Sequence, residues 1–225
     1  MPTLVFWIDV DNTLLANDEV KQRIDEGLRI EIGDAQTNRF WEIYEQVRKE
    51  RGVVDIPLAL ARFREETPLT ALDEHTYLQI HSLFDNFPFP SALYPHVKET
   101  LAYLRTVGVT VIVSDGDLDF QAEKIFRSSL AEAVDGRVLL FTHKQQNLQE
   151  LMHAYPADHY GMIDDKPDIL WDTKKLLGDR VTTIFVRQGK YAHGPLPEGF
   201  YADQTVEHFG DLRSFEPEQF FFIRK

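Results

Sequence analysis

Residues 4–15, LVFWIDVDNTLL, join an apolar strand pattern directly to a pair of carboxylates. The run from Leu4 to Ile8 is rich in residues that favour β-strands and has no polar side chain to mark a solvent-facing surface. That pattern predicts a strand buried on both faces, as in a parallel sheet. Asp9 and Asp11 follow at once, and two charges at the end of a core strand need a functional explanation.

The composition of the 225 residues indicates a globular protein. With 43% hydrophobic and 12% aromatic residues, the chain can bury a sizeable core. The net charge of −13 repels polyanions, so we expect no nucleic-acid partner. No apolar run approaches the roughly 20 residues that cross a bilayer, and no signal-peptide pattern is present, so we expect no membrane partner and a cytoplasmic location. The lack of cysteine fits a reducing compartment.

From about residue 95 onward, helical patterns alternate with short runs of β-branched and aromatic residues. Strands are predicted at 109–114, 137–141, 159–163 and 181–186, the last completing the series. Helices are predicted at 95–107, 118–130, 145–153 and 167–178. This alternation predicts an α/β fold, a parallel sheet core flanked by helices on both faces.

The residues between the first strand and residue 95 have a different pattern. Their apolar side chains recur at helical spacing, with no convincing strand. Helices are predicted there at 18–31, 36–51, 56–66 and 73–85. We therefore expect a helical segment, residues 15–91, inserted into a core made of residues 1–14 and 92–225. We interpret its aromatic cluster around Trp41 and Tyr44 first as packing and second as a platform for substrate.

Polar residues follow the predicted strands at their carboxyl ends, where open parallel sheets bind ligands. In chain order they are Asp9, Asp11, Ser114, Asp115, Gly116, Lys144, Asp164 and Asp165. Counting the four acids after the first and fourth strands against one lysine leaves a charge of about −3, which implies a hard cation. Mg²⁺ prefers oxygen ligands and typically combines a few carboxylates with water and substrate phosphate. The pattern therefore predicts a magnesium site at this edge of the sheet.

The same residues suit attack on phosphorus. A carboxylate that the metal does not fully consume can act as a nucleophile, while a second carboxyl protonates the leaving oxygen. Asp9 and Asp11 can share this work only if the chain turns out of the strand, since alternation would send them to opposite faces. Asn12 tolerates such a turn. Ser114 and Lys144 would then hold phosphoryl oxygens in the transition state.

Four motifs resemble those of the haloacid dehalogenase-like hydrolases, in order and across the whole chain. They are DVDNT at 9–13, VIVSDG at 111–116, Lys144 after a strand, and MIDDKPD at 162–168. The resemblance implies a Rossmann-like core with the first strand central and a helical cap between the first and second motifs. It also implies that Asp9 is the nucleophile and Asp11 the general acid/base, with Thr13 supporting the loop.

The resemblance also implies a ligand set. Magnesium would be bound by the Asp9 carboxylate, the Asp11 backbone carbonyl, and the pair Asp164 and Asp165, of which Asp165 is favoured as the direct ligand. The residues expected to contact substrate are Asn12, Thr13, Asp115 and Gly116. An alternative for Asp164 and Asp165 is to cap the helix that Pro167 opens.

Two positions depart from the family pattern. Asp115 stands where asparagine is frequent, and a further carboxylate beside a phosphoryl site is unfavourable unless it points away. Gln145 follows Lys144 where proline is frequent, so the third motif is the weakest match. Lys144 can also be read as a solvated lysine at a helix start, and Lys124 is the substitute if Lys144 does not reach. Ser114 taken alone fits a turn or helix cap equally well.

The sequence therefore predicts a magnesium-dependent phosphatase that hydrolyses a small phosphorylated metabolite through an aspartyl-phosphate, as a monomer or homodimer. Alternatives on the same fold are a phosphomutase and a 2-haloacid dehalogenase. The dehalogenase reaction needs neither a leaving-group acid nor a metal, so Asp11 and the acids at 164 and 165 argue against it. A non-catalytic metal- or ligand-binding module is the other class; a broken motif would favour it, and none is broken.

Overall fold

Six parallel strands form the centre of the fold in a computed structural model that describes residues 3–52 and 54–221. They are β1 (Leu4–Ile8), β2 (Val109–Asp115), β3 (Val138–Phe141), β4 (His159–Asp164), β5 (Val181–Val186) and β6 (Gln204–Val206). They form one sheet in the order β3-β2-β1-β4-β5-β6. β1 lies inside the sheet, so the α/β, Rossmann-like prediction with an interior first strand is confirmed.

β1 is buried because the two sets of side chains that alternate along it enter two different cores. Phe6 and Ile8 belong to the larger hydrophobic cluster, which continues into the helical segment. Val5 and Trp7 belong to a second cluster on the other face of the sheet. A strand packed on both faces is held rigidly, so its carboxyl end is a stable place to present reactive groups.

Eight α-helices, together with short 3₁₀ turns, accompany the strands in the described part of the chain. They are α1 (Asn17–Arg51), α2 (Ile56–Glu66), α3 (Glu74–Asp85), α4 (Val97–Val107), α5 (Leu118–Arg127), α6 (Leu130–Ala133), α7 (Leu148–Ala154) and α8 (Pro167–Leu177). α1 to α3 lie between β1 and β2, so the inserted helical cap is confirmed; its limits at residues 15 and 91 stay a prediction. None of these helices combines the length and apolar character needed to cross a membrane.

Two helix predictions differ from the structure at residues with positive φ. The helices predicted at 18–31 and 36–51 form the single element α1, kinked at Gly33, where φ is 72° and ψ is 170°. Glycine adopts this conformation at no steric cost. The helix predicted at 118–130 is divided into two because Ser129 has a left-handed φ of 61° between them.

The series of strands predicted from the sequence ends at 181–186, one strand short of the sheet. β6 adds one more strand, with Ile184 of β5 paired to Gln204. It has only three residues, and among them only Val206 is buried. A strand this short offers too few positions for a period-2 pattern to be recognised in the sequence.

Candidate active site

β1 brings Asp9 to the edge of the sheet because strand pairing continues one residue past the strand. The Asp9 N–H donates to the Ile163 carbonyl of β4 at 3.0 Å. The chain then closes a tight turn on the Val10 carbonyl, which accepts N–H bonds of 3.2, 2.9 and 3.0 Å, and Asn12 takes a left-handed φ of 59°. The turn carries Asp11 out of the strand, and the charge of Asp11 adds to burial, the largest cause, in raising the pKa of Asp9.

The ammonium of Lys144 lies between two carboxylates. It forms an ion pair with Asp9 and another with Asp164 Oδ2 at 2.7 Å, and it donates to the Val113 carbonyl at 3.2 Å. Burial alone would lower the pKa of Lys144, but the charges of Asp164 and Asp9 outweigh it and raise that pKa. Lys144 therefore reaches Asp9, and Lys124 does not replace it there.

The end of β2 lies beside Lys144. Asp115 is the last residue of the strand, and its Oδ1 accepts the backbone N–H of Lys144 at 2.7 Å. Burial raises the pKa of Asp115, and the Lys144 charge and N–H oppose that effect. Ser114 is buried within the strand just before it, and Gly116 donates its N–H to the Phe141 carbonyl of β3 at 3.1 Å. Asp115 thus has a structural partner that the sequence did not reveal.

Three carboxylates form a compact, buried cluster. Oxygen atoms of Asp9, Asp164 and Asp165 all lie within 4.8 Å of one another. Burial raises the pKa of Asp9 to about 6, against the opposing charge of Lys144. Burial and the charges of Asp164 and Asp9 raise the pKa of Asp165 to about 9. Within the described residues, neither Asp165 oxygen has a hydrogen-bond partner.

This cluster fits a hard divalent cation. Its donors are all oxygen, as Mg²⁺ prefers, and a buried acid with no hydrogen-bond partner is otherwise costly. The capping alternative finds little support in the geometry, because the N-cap of α8 is Lys166 with no side-chain cap. Asp164 Oδ1 instead accepts the N–H of Lys166 at 2.9 Å.

Asp11 has partners on α5 that sequence reasoning did not assign to it. Lys124 Nζ lies 2.7 Å from Asp11 Oδ1 and 3.1 Å from Asn17 Oδ1. Gln121 Nε2 donates to Asp11 Oδ2 at 2.9 Å. Burial would raise the pKa of Asp11, but the charge and hydrogen bond of Lys124, with that of Gln121, lower it overall. Gln121 and Lys124 are three residues apart, and so share a helix face, which is the only local signal of this contact.

The expectation of one lysine against four carboxylates was wrong. Lys124 also lies in the site, and Lys166 is close enough for the charges of Asp9 and Asp164 to raise its pKa, although burial acts to lower it. These lysines come from a helix and from a loop, not directly from a strand end. With Asp115 included, five acids therefore face three lysines, which is a formal charge of −2. What favours a cation is the arrangement of Asp9, Asp164 and Asp165, more than an excess of charge.

A distant glutamine holds the loop that follows β1. Gln188 is buried, and its Nε2 donates to the carbonyls of Thr13 at 3.1 Å and Asn12 at 3.3 Å. Its Oε1 accepts the Phe209 N–H at 2.7 Å. Gly189 lies against the same loop: a Cβ there would stand 2.5 Å from Asn12 Cγ, and its φ is 65°. Contacts across about 175 residues leave no local sequence pattern, so Gln188 was missed.

Asp11 and Asp115 line a cavity of about 360 Å³, whereas the buried cluster of Asp9, Asp164 and Asp165 is not part of its lining. This volume is within the range of small-molecule sites. Residues from the strand ends and α5 form one part of its wall, and they include Asp11, Asn12, Asp115, Gly116, Lys124 and Lys166. The cap contributes the other part, which includes Lys21, Trp41, Tyr44 and Arg48. A ligand in this cavity would touch both the sheet edge and the cap.

Several solved structures share this fold. A haloacid dehalogenase-like hydrolase from Burkholderia xenovorans LB400 is 43% identical, with a TM-score of 0.84, and the match covers 95% of this chain and 98% of that one. An L-2-haloacid dehalogenase from Xanthobacter autotrophicus, with chloropropionic acid covalently bound, is 16% identical with a TM-score of 0.60, over 95% and 97% of the chains.

The HAD-hydrolase YfnB from Bacillus subtilis, bound to magnesium, is 14% identical with a TM-score of 0.60, over 93% and 96% of the chains. No protein-family model matches the sequence, and no curated protein matches it either. The two distant structures support the fold alone. The match at 43% identity over almost the full length of both chains goes further: this chain belongs to the haloacid dehalogenase-like hydrolases.

Proposed function

We propose that the chain is a magnesium-dependent phosphatase that hydrolyses a small phosphate monoester through an aspartyl-phosphate. The observation that carries the proposal is a second carboxylate, Asp11, two residues after Asp9 and facing the cavity. Displacement of halide from carbon needs no acid for the leaving group, whereas cleavage of a phosphate ester leaves an alkoxide that must be protonated. The cluster of Asp9, Asp164 and Asp165 supports the metal requirement.

The residues proposed to hold magnesium are the carboxylates of Asp9, Asp164 and Asp165, with the Asp11 backbone carbonyl. When bound, the metal would offset negative charge on the phosphoryl oxygens and on the acids around them. Lys144 is proposed to neutralise Asp9 and Asp164 and, with the Ser114 hydroxyl, to bind phosphoryl oxygens in the transition state.

In the proposed first step, a carboxylate oxygen of Asp9 attacks phosphorus, and the bond between phosphorus and the ester oxygen breaks. Asp11 gives its proton to the leaving oxygen, which departs as an alcohol. In the second step, water attacks phosphorus of the aspartyl-phosphate and gives a proton to Asp11. Inorganic phosphate leaves, and Asp9 is again a carboxylate.

The cavity supports a small substrate. Its volume of about 360 Å³ and its wall, shared between the sheet edge and the cap, suit a phosphorylated metabolite better than a macromolecule. The phosphoryl end of the cavity is proposed to be shaped by Asn12, Thr13, Asp115 and Gly116. Two of these residues also have protein partners: the Thr13 hydroxyl donates to Asp9, and Asp115 accepts the N–H of Lys144.

Phosphate release from a panel of small phosphate esters tests this proposal. We expect turnover with Mg²⁺, none with EDTA, and a loss of at least about a thousandfold in Asp9→Asn, because the amide is not a nucleophile. Asp172→Asn is the matched control, since it removes a half-exposed carboxylate on α8 that, among the described residues, forms an ion pair with Lys175 alone. Turnover that persists in EDTA, or in Asp9→Asn, would overturn the mechanism.

One observation favours the dehalogenase alternative. Lys124 and Gln121 lower the pKa of Asp11, whereas a leaving-group acid must carry a proton. Halide release from 2-haloacids tests that reaction directly. Hydrolysis in ¹⁸O-labelled water separates the two further, because water attacks phosphorus in one mechanism and the carboxyl carbon of an Asp9 ester in the other. Label in released phosphate supports the phosphatase, and label in the Asp9 side chain supports the dehalogenase.

A further inference from the structure

The cap side of the cavity carries two cations. Lys21 and Arg48 both lie on α1 and line the wall together with the aromatic residues Trp41 and Tyr44. On this side the remaining lining residues are mostly apolar, among them Val20, Ile24, Val54, Ile56 and Phe84. Cations on a wall of this kind are unusual unless an anion meets them there, because burial disfavours their charge.

Lys21 is the more enclosed of the two. Its ammonium stands 4.7 Å from the centre of the Tyr44 ring, and none of the ion pairs among the described residues involves it. Its pKa is lowered, by burial first and then by Arg48, against the opposing charges of Glu45, Asp11 and Asp18. The cation is thus held on an aromatic face, which supplies some stabilisation but no counter-charge.

The acids near these cations are engaged elsewhere or poorly placed. Asp18, which also lines the cavity, accepts the backbone N–H of Lys190 at 2.8 Å. Glu45 contacts Arg48 at 3.4 Å, in a pair whose two side chains are each 46% exposed, and it does not line the cavity. An exposed pair of this kind contributes little. Both cations therefore remain available to a ligand.

We infer that Lys21 and Arg48 bind a second anionic group of the substrate, at the end remote from the phosphoryl group. This inference rests on the proposed phosphatase and names its substrate class: a phosphate monoester that carries a carboxylate or a second phosphate. The phosphoryl end lies at the carboxylate cluster, the second anion meets Lys21 and Arg48 on the cap, and the portion between them packs against Trp41 and Tyr44. Specificity is then set by the cap, and the chemistry by the sheet edge.

Three matched esters test the subsite: the phosphate monoester of a short hydroxy acid, the bisphosphate of the corresponding diol, and the monoester of the corresponding hydroxy amide. We expect wild type to prefer one or both anionic esters over the amide in kcat/KM. In Lys21→Met this preference falls by about 10- to 100-fold, in line with the loss of a charge-assisted hydrogen bond. In Arg48→Met the preference falls by a smaller factor, because the Arg48 side chain is more exposed than that of Lys21.

Lys49→Met is the matched control, because Lys49 is the next residue of the same helix, is exposed and does not line the cavity. It removes the same charge and should leave the preference intact. The hydroxy-acid and bisphosphate arms show which anion the subsite takes. Equal kcat/KM for all three esters in wild type, or a preference unchanged in Lys21→Met, would overturn the inference.

A binding measurement separates failure of the subsite from failure of the phosphatase. A phosphonate that carries a carboxylate, and its neutral amide, are titrated calorimetrically into wild type and Lys21→Met with Mg²⁺. The inference predicts tighter binding of the charged compound, lost in the variant, whether or not any ester turns over. Equal affinities for the two compounds in wild type would refute it even if the phosphatase assay succeeds.

Discussion

Asp165→Asn should stabilise the metal-free protein, which is the reverse of what removal of a useful contact does. Asp165 is fully buried, its oxygens have no hydrogen-bond partner in the described residues, and its pKa is raised from 3.8 to about 9. A carboxyl whose pKa is raised by folding stabilises the folded protein fully only at pH values below the pKa that it has in the unfolded chain. That contribution is lost as the pH rises through the folded value.

The size of the effect follows from the pKa shift. Each pH unit above 3.8 costs the folded protein about 1.4 kcal/mol until the folded pKa of about 9 is reached. At pH 7 the accumulated cost is at most about 4 kcal/mol. Asparagine has no charge to lose, but its buried amide costs about 1–3 kcal/mol without partners. We therefore expect a net gain of about 1–3 kcal/mol at pH 7, or several degrees in Tm.

Thermal unfolding in EDTA from pH 4 to pH 8 measures this difference. The advantage of Asp165→Asn should grow with pH, vanish between about pH 4.5 and pH 6, and turn into a deficit of about 1–3 kcal/mol near pH 4. Adding Mg²⁺ at a thousandfold over its Kd should reverse the order at pH 7, since the metal then stabilises wild type by about 4.1 kcal/mol, more than the expected gain, and the variant much less. The control, Asp172→Asn, should show neither effect. A variant that is less stable than wild type in EDTA at pH 7, or a difference that does not change with pH, would refute the reasoning.

Three further outcomes follow from other contacts. Lys124→Met should raise the pKa of Asp11, because it removes the charge and hydrogen bond that lower it, and should move the alkaline limb of the pH profile of kcat/KM to higher pH. A limb that does not move would show that this limb does not report the ionisation of Asp11. Gln188→Leu should cost about 2–4 kcal/mol in unfolding free energy and lower kcat, because it leaves loop carbonyls and one N–H unpartnered; an unchanged Tm in denaturation scans would contradict this. Burial lowers the pKa of His159, so the neutral imidazole stabilises the fold fully above about pH 6.5, and this stability is lost as the pH falls below that value. Between pH 7 and pH 5, His159→Gln should therefore lose less stability than wild type. Curves of Tm against pH that run parallel for the two proteins would contradict this.

The fold was largely predictable because its signals are local. The apolar run of β1, the alternation after residue 95 and the helical spacing between them are each contained in one segment of chain. Parallel strands also place their carboxyl ends together, which is why Asp9, Lys144 and Asp164 could be predicted to meet before any contact was known. Local patterns failed where elements were too short, as at β6.

The remaining parts of the site depend on distant contacts. The ammonium of Lys124 reaches Asp11 across 113 residues, and Gln188 reaches Thr13 across 175. No periodicity or spacing relates such pairs, because their approach is a result of how helices and loops pack on the sheet. Lys124 was considered only as a substitute for Lys144. The structure gives the two lysines separate carboxylates, and this division makes the local charge less negative than the sequence indicated.

The covalent state of Asp9 during turnover is the most direct test of the proposed mechanism. Protein mixed with a phosphate ester and Mg²⁺ is quenched in acid within the first turnovers, and the peptide that contains Asp9 is examined by mass spectrometry. The mechanism predicts a phosphoryl adduct on Asp9 that hydroxylamine removes, and that is absent with EDTA. Phosphate release with no adduct under conditions where its hydrolysis is rate-limiting, or an adduct on another residue, would contradict it.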